Sequence, residues 1–274
     1  MSKGYVPLRE QYDNSVSHAL EYYIADFALS RFAEALGKKK DAEMFYKRSL
    51  GYKHYYSKEF GTFRPILPDG TFYSPFNPRQ GENFEPNPGF HEGSAWNYSF
   101  YVPHDVYGLA KLMGGKNPFI KKLQMVFDEG LYDPANEPDI AYAHLFSYFR
   151  GEEWRTQKET QRLLDKYFTT KPNGIPGNDD TGTMSAWAIF NMIGFYPDCP
   201  GLPEYTLTTP VFNKVTIRLD PKWYKEKELV IESNRTQPGT LYINKVLLNG
   251  KKFNQYRITH DELVHSQRIL FDLK

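Results

Sequence analysis

The stretch that decides the fold is GIPGNDDTGTMSAWAIFNMIGFYPDCPG, residues 174–201. Its central part, Thr181 to Ile193, predicts a helix bounded by Gly174 and Gly194. Beyond residue 200 the pattern changes to short runs in which apolar and polar residues alternate, which predicts strands. The stretch therefore marks a boundary between a helical region, residues 1–200, and a C-terminal β region, residues 201–274.

The residues before this stretch predict helices joined by loops. Ser15 or Ser17 can cap a helix that runs to about Leu36, where Gly37 provides a stop. Glycine or proline also bounds further predicted helices over Asp41 to Tyr56, Trp96 to Met113, Pro118 to Asp128, Pro138 to Phe149 and Glu152 to Phe168. About seven helices make only half of a closed double ring. Such an open half-ring would expose apolar faces that fit a missing partner.

The β region has three signals. Val211 to Leu219 alternates apolar and polar residues, and Leu229 to Glu232 is short and apolar. Leu241 to Leu248 precedes Asn249-Gly250, a strong hairpin signal. With a last strand over Arg268 to Leu273, these runs predict a small antiparallel β region.

Composition excludes several partners. The net charge is +1, so no basic excess indicates nucleic acid and no polybasic tail indicates a membrane surface. We expect no membrane span, because the sequence has no long uncharged apolar run. The first residues, MSKGYVP, lack the pattern of a signal peptide, and the single cysteine, Cys199, leaves the cellular location open.

Aromatic residues make up 16% of the chain, with 21 Tyr, 20 Phe and 4 Trp. Aromatic faces pack on the apolar faces of sugar rings, so this share fits a carbohydrate enzyme. The same share fits a large aromatic core, which composition alone favours.

The first candidate cluster is FHEGSAWNYSFYVPHD, residues 90–105. Glu92 lies just before a predicted helix, where Phe90, Trp96 and Tyr98 would partly desolvate its carboxyl group. Desolvation raises the pKa of a carboxyl group and makes a usable general acid. The alternative is that Glu92 only caps the helix.

The second cluster is GNDD, with Asn178 before two adjacent carboxylates, Asp179 and Asp180, at a predicted helix N-terminus. Backbone N–H groups there favour anions, which would keep one carboxylate ionised as a general base. Ordinary capping of a core helix by Asp180 or Asn178 is an even alternative.

The third cluster is YDPANEPD, residues 132–139, where Asn136 and Glu137 offer hard oxygen ligands that suit Ca²⁺. The spacing is not that of an EF-hand, and a plain turn is the simpler interpretation. Other chemistries lack their patterns: the sequence has one cysteine and no HxxxH pair for zinc, and it has no GxSxG, GxGxxG or P-loop.

Taken together, these clusters resemble the C-terminal half of glycoside hydrolase family 92, the calcium-dependent α-mannosidases. The matching segments follow the family's order: GYVP (4–7), SVSHALEYYIADFALSRFAEALG (15–37), HEGSAWNYSFYVPHDVYGLAKLMGG (91–115), NEP (136–138), GIPGNDDTGTMSAWAIFNMIGFYPDCPG (174–201), LNGKKF (248–253) and ITHDEL (258–263).

The resemblance implies the second half of an (α/α)6 barrel followed by strands, and removal of terminal α-linked mannose with inversion. Glu92 matches the general acid. Asp180 is favoured as the base with Asp179 as its support, although the two could exchange roles. Asn136 and Glu137 match ligands of a Ca²⁺ that binds mannose O2 and O3. The expected sugar-binding residues are His91, Trp96, Asn178, Tyr132 and Asp133.

Departures from the family pattern limit what the resemblance implies. The WD-containing segment of the first half-barrel is missing, so the chain alone could be inactive or need an N-terminal domain or a complementary chain. Asp139-Ile140-Ala141 stands where many members have Ser-His-His, and Tyr132-Asp133 where some α-1,2-specific members have His-Glu. Linkage preference therefore stays open. The alternatives are a non-catalytic carbohydrate-binding fragment and a different (α/α)6 carbohydrate enzyme.

Overall fold

The computed structural model describes residues 3–10, 13–81, 87–237 and 239–274. Part of the longest predicted loop, residues 82–86, lies outside the described residues. The chain divides into two compact units, Met1–Tyr142 with Cys199–Leu202, and Ala143–Asp198 with Pro203–Lys274. Residues 143–198 thus group with the C-terminal strands and not with the first helices. No helix in the described ranges is long and apolar enough to cross a membrane.

The first unit is built mainly from helices. Its described helices are α1 (Ser15–Ala35), α2 (Lys39–Ser49), α3 (Ala95–Tyr98), α4 (Val106–Leu112) and α5 (Lys116–Asp128). Tighter 3₁₀ turns cover Leu50–Tyr55, Pro103–Asp105 and Glu137–Asp139, and strand β1 (Tyr56–Ser57) pairs with antiparallel β2 (Thr62–Phe63).

The first helix is confirmed, but its N-cap is Asn14, and the predicted caps Ser15 and Ser17 lie inside the helix. The helix predicted over 96–113 is wrong in its middle. Pro103 has no backbone N–H to donate, and the chain there forms a 3₁₀ turn instead of an α-helix. The carboxylate of Asp105 then caps a new helix, α4, by accepting from the N–H of Gly108 at 3.0 Å. The predicted second helix ends early, at Ser49, and the one predicted over 138–149 consists of 3₁₀ turns.

Helix α1 is apolar around most of its circumference. One side buries large residues, among them Tyr23 and Phe27. On the rest of the helix and at its C-cap, Leu36, four large apolar residues are 45 to 63% exposed: Tyr22, Leu29, Phe32 and Leu36. We call these four residues the outer stripe. Because a helix that is apolar all round is normally buried, the outer stripe has the character of a contact surface.

In its described residues, the second unit combines three helices with two sheets. Helices α6 (Glu153–Tyr167) and α7 (Thr183–Ile193) precede the strands. The strands are β3 (Phe195–Tyr196), β4 (Glu204–Leu207), β5 (Lys214–Arg218), β6 (Glu228–Arg235), β7 (Ile243–Leu248), β8 (Lys251–Phe253), β9 (Arg257–Thr259) and β10 (Arg268–Leu273), with a short helix, α8 (His260–Val264), before the last. Their order is β5-β6-β10-β7-β8 in the larger sheet and β3-β4-β9 in the smaller.

The larger sheet is mixed, and not wholly antiparallel as predicted. Strand β10 lies between β6 and β7, parallel to the first and antiparallel to the second. Its alternate residues Ile269, Phe271 and Leu273 are buried and hold the sheet against the apolar core of the unit. The hairpin at Asn249-Gly250 joins β7 to β8 as predicted. Strands β4 and β9 were missed because they are only four and three residues long.

Buried His104 in the first unit yields a prediction about stability. Its Nε2 lies 3.0 Å from the carbonyl oxygen of Ser49, and burial lowers the pKa of His104 to about 4. The pKa of an unfolded histidine is about 6.5, so the unfolded state takes up the proton first as pH falls. The free energy of unfolding should therefore fall by up to about 3 kcal/mol between pH 6.5 and 4 on account of this residue.

Urea denaturation of the wild type and of His104→Gln across this pH range measures the effect. The difference in the free energy of unfolding between the two proteins should become smaller as pH falls. Exposed His265→Gln serves as the control and should keep the wild-type slope. A His104→Gln variant with the wild-type slope would contradict the assignment.

Candidate active site

Glu92 lies in a strained turn of the first unit. Its φ is 52°, in the left-handed region that non-glycine residues rarely adopt, and φ of the following Gly93 is 152°. The turn is fixed through its backbone: the carbonyl of Glu92 accepts from Nδ2 of Asn136 at 2.5 Å, and the N–H of His91 donates to Oγ of Ser17 at 2.9 Å. The side chain of Glu92 is consequently not needed to hold the turn.

Ser94, and not Glu92, caps the next helix. Oγ of Ser94 accepts from the N–H of Trp96 at 3.2 Å, while Oδ1 of Asn97 accepts from the N–H of Ser94 at 2.9 Å, which completes a capping box. The interpretation of Glu92 as a helix cap is therefore wrong. Its carboxylate lies 3.3 Å from Nε2 of His91, and both side chains are more than half exposed. A pair this exposed contributes little to stability, so the carboxylate stays available for chemistry.

The aromatic residues around this turn pack inward. Phe90, Trp96 and Tyr98 are buried, and the hydroxyl of Tyr98 donates to the carbonyl of His91. The expected partial desolvation of Glu92 by these three rings is wrong for this chain, because its side chain is 54% exposed. These rings support the turn from behind.

Asn97 and Asp139 join this turn to the segment at 131–139. Nδ2 of Asn97 donates to Oδ2 of Asp139 at 2.8 Å and to the carbonyl of Leu131 at 3.1 Å, and the same Oδ2 accepts from the N–H of Asp133 at 2.7 Å. Asp139 is fully buried, which raises its pKa well above the ordinary value. Within the described part of the chain, its Oδ1 has no hydrogen-bond partner.

Sequence reasoning missed Asn97 and noted Asp139 only as a departure from the family pattern. The one signal for Asn97 was a polar residue between Trp96 and Tyr98 in an aromatic run. A buried amide in such a run needs partners for its donors and its acceptor, which here link two segments far apart in the chain.

The segment Tyr132 to Asp139 is a turn, as its simpler interpretation stated. Tyr132 is buried and stacks on Phe127 with ring centres 4.8 Å apart, and Oδ1 of half-buried Asp133 accepts from the N–H of Ala135 at 2.9 Å. Asn136 is buried, whereas Glu137 is exposed at the start of the 3₁₀ turn.

The GNDD sequence lies in the second unit, and its two aspartates make different hydrogen bonds. Both oxygens of Asp179 bind Ser185, Oδ1 accepting from its N–H at 2.9 Å and Oδ2 from its hydroxyl at 2.5 Å, which lowers the pKa of Asp179. Asp180 is exposed, and its carbonyl accepts from the hydroxyls of Thr181 and Thr183 at 2.7 Å each. Asn178 is also exposed.

Neither Asp180 nor Asn178, the two predicted caps, therefore caps helix α7 with its side chain. Asp179 accepts from the third residue of α7, while Asp180 anchors the turn only through its backbone. Thr181, at φ 53°, and Gly182, at φ 78°, complete that turn and delay the helix to Thr183.

Comparison with known proteins identifies the family. The model of the glycosyl hydrolase family 92 catalytic domain matches residues 1–274. The chain belongs to glycosyl hydrolase family 92.

Solved members of family 92 share the fold of this chain. The α-mannosidase BT3965 from Bacteroides thetaiotaomicron matches with a TM-score of 0.89 at 32% identity, over 99% of this chain and 36% of that chain. The inverting mannosidase BT2199 from the same bacterium matches with a TM-score of 0.88 at 31% identity, over 100% of this chain and 39% of that chain.

A relative in Arthroderma benhamiae, described as an uncharacterized secreted glycosidase, is 26% identical over 286 residues, which cover 95% of this chain and 36% of the relative. This family 92 chain therefore spans well under half the length of the relatives it matches.

The buried amide of Asn97 yields a second prediction. Asn97→Ala leaves the N–H of Ser94, the carbonyl of Leu131 and the carboxyl group of Asp139 each short of a partner. The free energy of unfolding should fall by about 2–3 kcal/mol, since unpaired buried polar groups keep their desolvation cost.

Urea denaturation measures this change, with exposed Asn178→Ala as the matched control, which should stay within about 0.5 kcal/mol of the wild type. A loss below about 1 kcal/mol for Asn97→Ala would show that this bridge is not important to the fold.

Proposed function

We propose that the complete protein is an inverting exo-α-mannosidase, and that this chain supplies its general acid, Glu92, and its general base, Asp180. The observation that carries the proposal is the match to solved mannosidases at 30 to 32% identity along 99 to 100% of the chain. One of these relatives is described as inverting, and another was solved in complex with mannoimidazole.

The proposed reaction needs two carboxyl groups. Inverting glycosidases hold an acid and a base roughly 6.5–9.5 Å apart, which leaves room for a water molecule. Glu92 protonates the glycosidic oxygen as the bond to the anomeric carbon breaks. Asp180 takes a proton from the water that attacks that carbon from the opposite face. The fixed turn and the exposed carboxylate of Glu92 support its part in this reaction.

The contrast within GNDD supports Asp180 as the base. Asp179 has both oxygens bound to Ser185, and these bonds lower its pKa and restrict its rotation. Asp180 is held at its backbone and leaves its carboxylate exposed. Asp179 then supports the loop that presents Asp180.

The proposed sugar-binding residues fall into two groups. His91 and Asn178 are exposed and can donate to or accept from sugar hydroxyl groups directly. Trp96 and Tyr132 are buried, and half-buried Asp133 caps a turn, so these three residues act by shaping the wall behind the sugar.

Calcium assistance belongs to this proposal, and the donor set can be tested against it. Nδ2 of Asn136 points at the carbonyl of Glu92, which turns its Oδ1 away from that contact, and the carboxylate of Glu137 follows directly. Hard oxygen donors of this kind fit Ca²⁺. When bound, the cation would bind mannose O2 and O3 and favour a distorted ring.

These two residues can supply only part of a calcium site. Ca²⁺ takes about 6–8 oxygen ligands, and within the described ranges no group of three or more His, Cys, Asp or Glu residues is arranged to hold a metal. Sugar hydroxyl groups, water and further protein oxygens would complete the coordination. Asn136 would also link such a site to the turn of Glu92 through its amide.

We also propose that the helices form the second half of an (α/α)6 barrel and that the outer stripe of α1 contacts the remainder of the catalytic domain, or a complementary chain that supplies it. The exposed apolar side chains of the outer stripe support this view. Since the chain spans only 36 to 39% of its solved relatives, the isolated chain is expected to retain at most weak sugar binding without turnover.

The acid and base assignments predict that each variant of the complete protein loses activity but keeps its stability. Glu92→Gln and Asp180→Asn should each lower kcat on mannobiose by about 10²–10⁴-fold, because each removes a proton-transfer group. Both side chains are exposed, so melting temperatures should stay within a few degrees of the wild type.

Mannose release and thermal melts measure both quantities, with exposed Glu129→Gln as the control of equal charge change. Full activity in Asp180→Asn together with inactive Asp179→Asn would exchange the two roles. Unfolding of Glu92→Gln would support a purely structural glutamate.

The calcium proposal has a readout that does not depend on turnover. Ca²⁺ should raise the melting temperature of the complete protein, because a ligand that binds only the folded state stabilises it. Glu137→Gln should remove most of this rise and Glu129→Gln should leave it intact. An equal rise in all three proteins would exclude Glu137 as a ligand.

A further inference from the structure

We propose that the first unit carries a binding site for a phosphate group, in a cleft that the proposed glycosidase chemistry does not use. The cleft has a volume of about 720 Å³ and is lined by four lysines, Lys53, Lys58, Lys111 and Lys122, together with Tyr56. Its other described lining residues are glycines and apolar residues, with no Asp or Glu among them. We call it the lysine cleft.

The four lysines come from separate elements. Lys53 lies in the 3₁₀ turn before β1, Lys58 directly after β1, Lys111 in α4 and Lys122 in α5. Their convergence is thus a product of the fold and not of one basic run in the sequence.

Positive charge in the lysine cleft is poorly compensated. Lys53 has a carboxylate partner, Asp105 Oδ2, at 3.3 Å. For the other three lysines, no carboxylate of the described residues lies within 4.0 Å of the ammonium group. Like charges held in a concave surface repel one another and attract an anion.

Lys122 is held in place and is not a freely moving surface lysine. Its Nζ is half-buried, lies 3.2 Å from the carbonyl of Gly61 and 3.4 Å from the hydroxyl of Tyr56, and sits 5.9 Å from the centre of that ring. A Cβ on Gly61 would come within 2.1 Å of Nζ, so glycine at this position leaves room for the ammonium group.

The occupant follows from these features. An ammonium group has three donors, and the two bonds of Lys122 leave a third for an anion. A phosphate group matches several converging ammonium groups because it carries up to two charges on acceptor oxygens. The cleft is larger than phosphate alone, so both free phosphate and a sugar phosphate monoester fit by volume.

The test is a titration of the folded chain by NMR, following the backbone amide signals of Gly108 and Gly114, which line the lysine cleft. Inorganic phosphate should shift these signals saturably at millimolar concentration, and glucose 6-phosphate but not glucose should do the same if the cleft accepts esters. Glucose derivatives are used because they do not probe a mannose site. Raising NaCl to about 0.5 M should weaken binding severalfold, since salt screens exposed charges.

Two double variants that each remove two positive charges test whether phosphate binds in the lysine cleft. Lys111→Gln/Lys122→Gln should weaken phosphate binding about tenfold or more, whereas the control Lys47→Gln/Lys121→Gln, which lies outside the cleft, should change it less than about twofold. Lys111→Gln alone, on an exposed residue, covers the case in which the double variant fails to fold, and should weaken binding about threefold. Equal weakening in the control, or no saturation by phosphate up to about 50 mM, would overturn the proposal.

Discussion

The amide of Asn97 is the contact on which the candidate active site depends. Its oxygen fixes the N–H of Ser94 beside the Glu92 turn, and its nitrogen binds Asp139 and the carbonyl of Leu131. Asn136, from the same distant segment, holds the carbonyl of Glu92. Two buried amides thus stabilise a backbone conformation that glutamate rarely adopts and leave its carboxylate exposed beside His91.

The second carboxylate site uses the same principle. In GNDD, the neighbouring aspartates would be equivalent by charge alone, but Ser185 binds both oxygens of Asp179, while Asp180 is fixed by its carbonyl. In both loops an accessory residue satisfies the structural requirement, and the proposed catalytic carboxylate keeps its oxygens exposed. This difference in hydrogen bonding gives a physical reason for proposing Asp180 as the base and Asp179 as its support, which family membership alone does not provide.

Much of the fold was predictable where local signals were strong. Helix α1 follows from its apolar residues and the stop at Gly37, and the hairpin follows from Asn249-Gly250. The break at Pro103 has a local signal, a proline inside the predicted helix, which the prediction over 96–113 did not use. The parallel pairing of β10 depends on contacts between distant residues, which local patterns do not reveal. Glu92 was predictable as a candidate, but excluding its role as a helix cap required the Ser94 capping box. Asn97 and the lysine cleft were not predictable, because their partners come from separate segments.

In the proposed mechanism, Glu92 and Asp180 act on opposite sides of the anomeric carbon with a water molecule between them. The most direct measurement is ¹H NMR of mannobiose hydrolysis by the complete protein, recorded before the released sugar mutarotates. An inverting mechanism predicts that β-mannose appears first, and that the signal of α-mannose grows only as the anomers equilibrate. Release of α-mannose as the first product would contradict it.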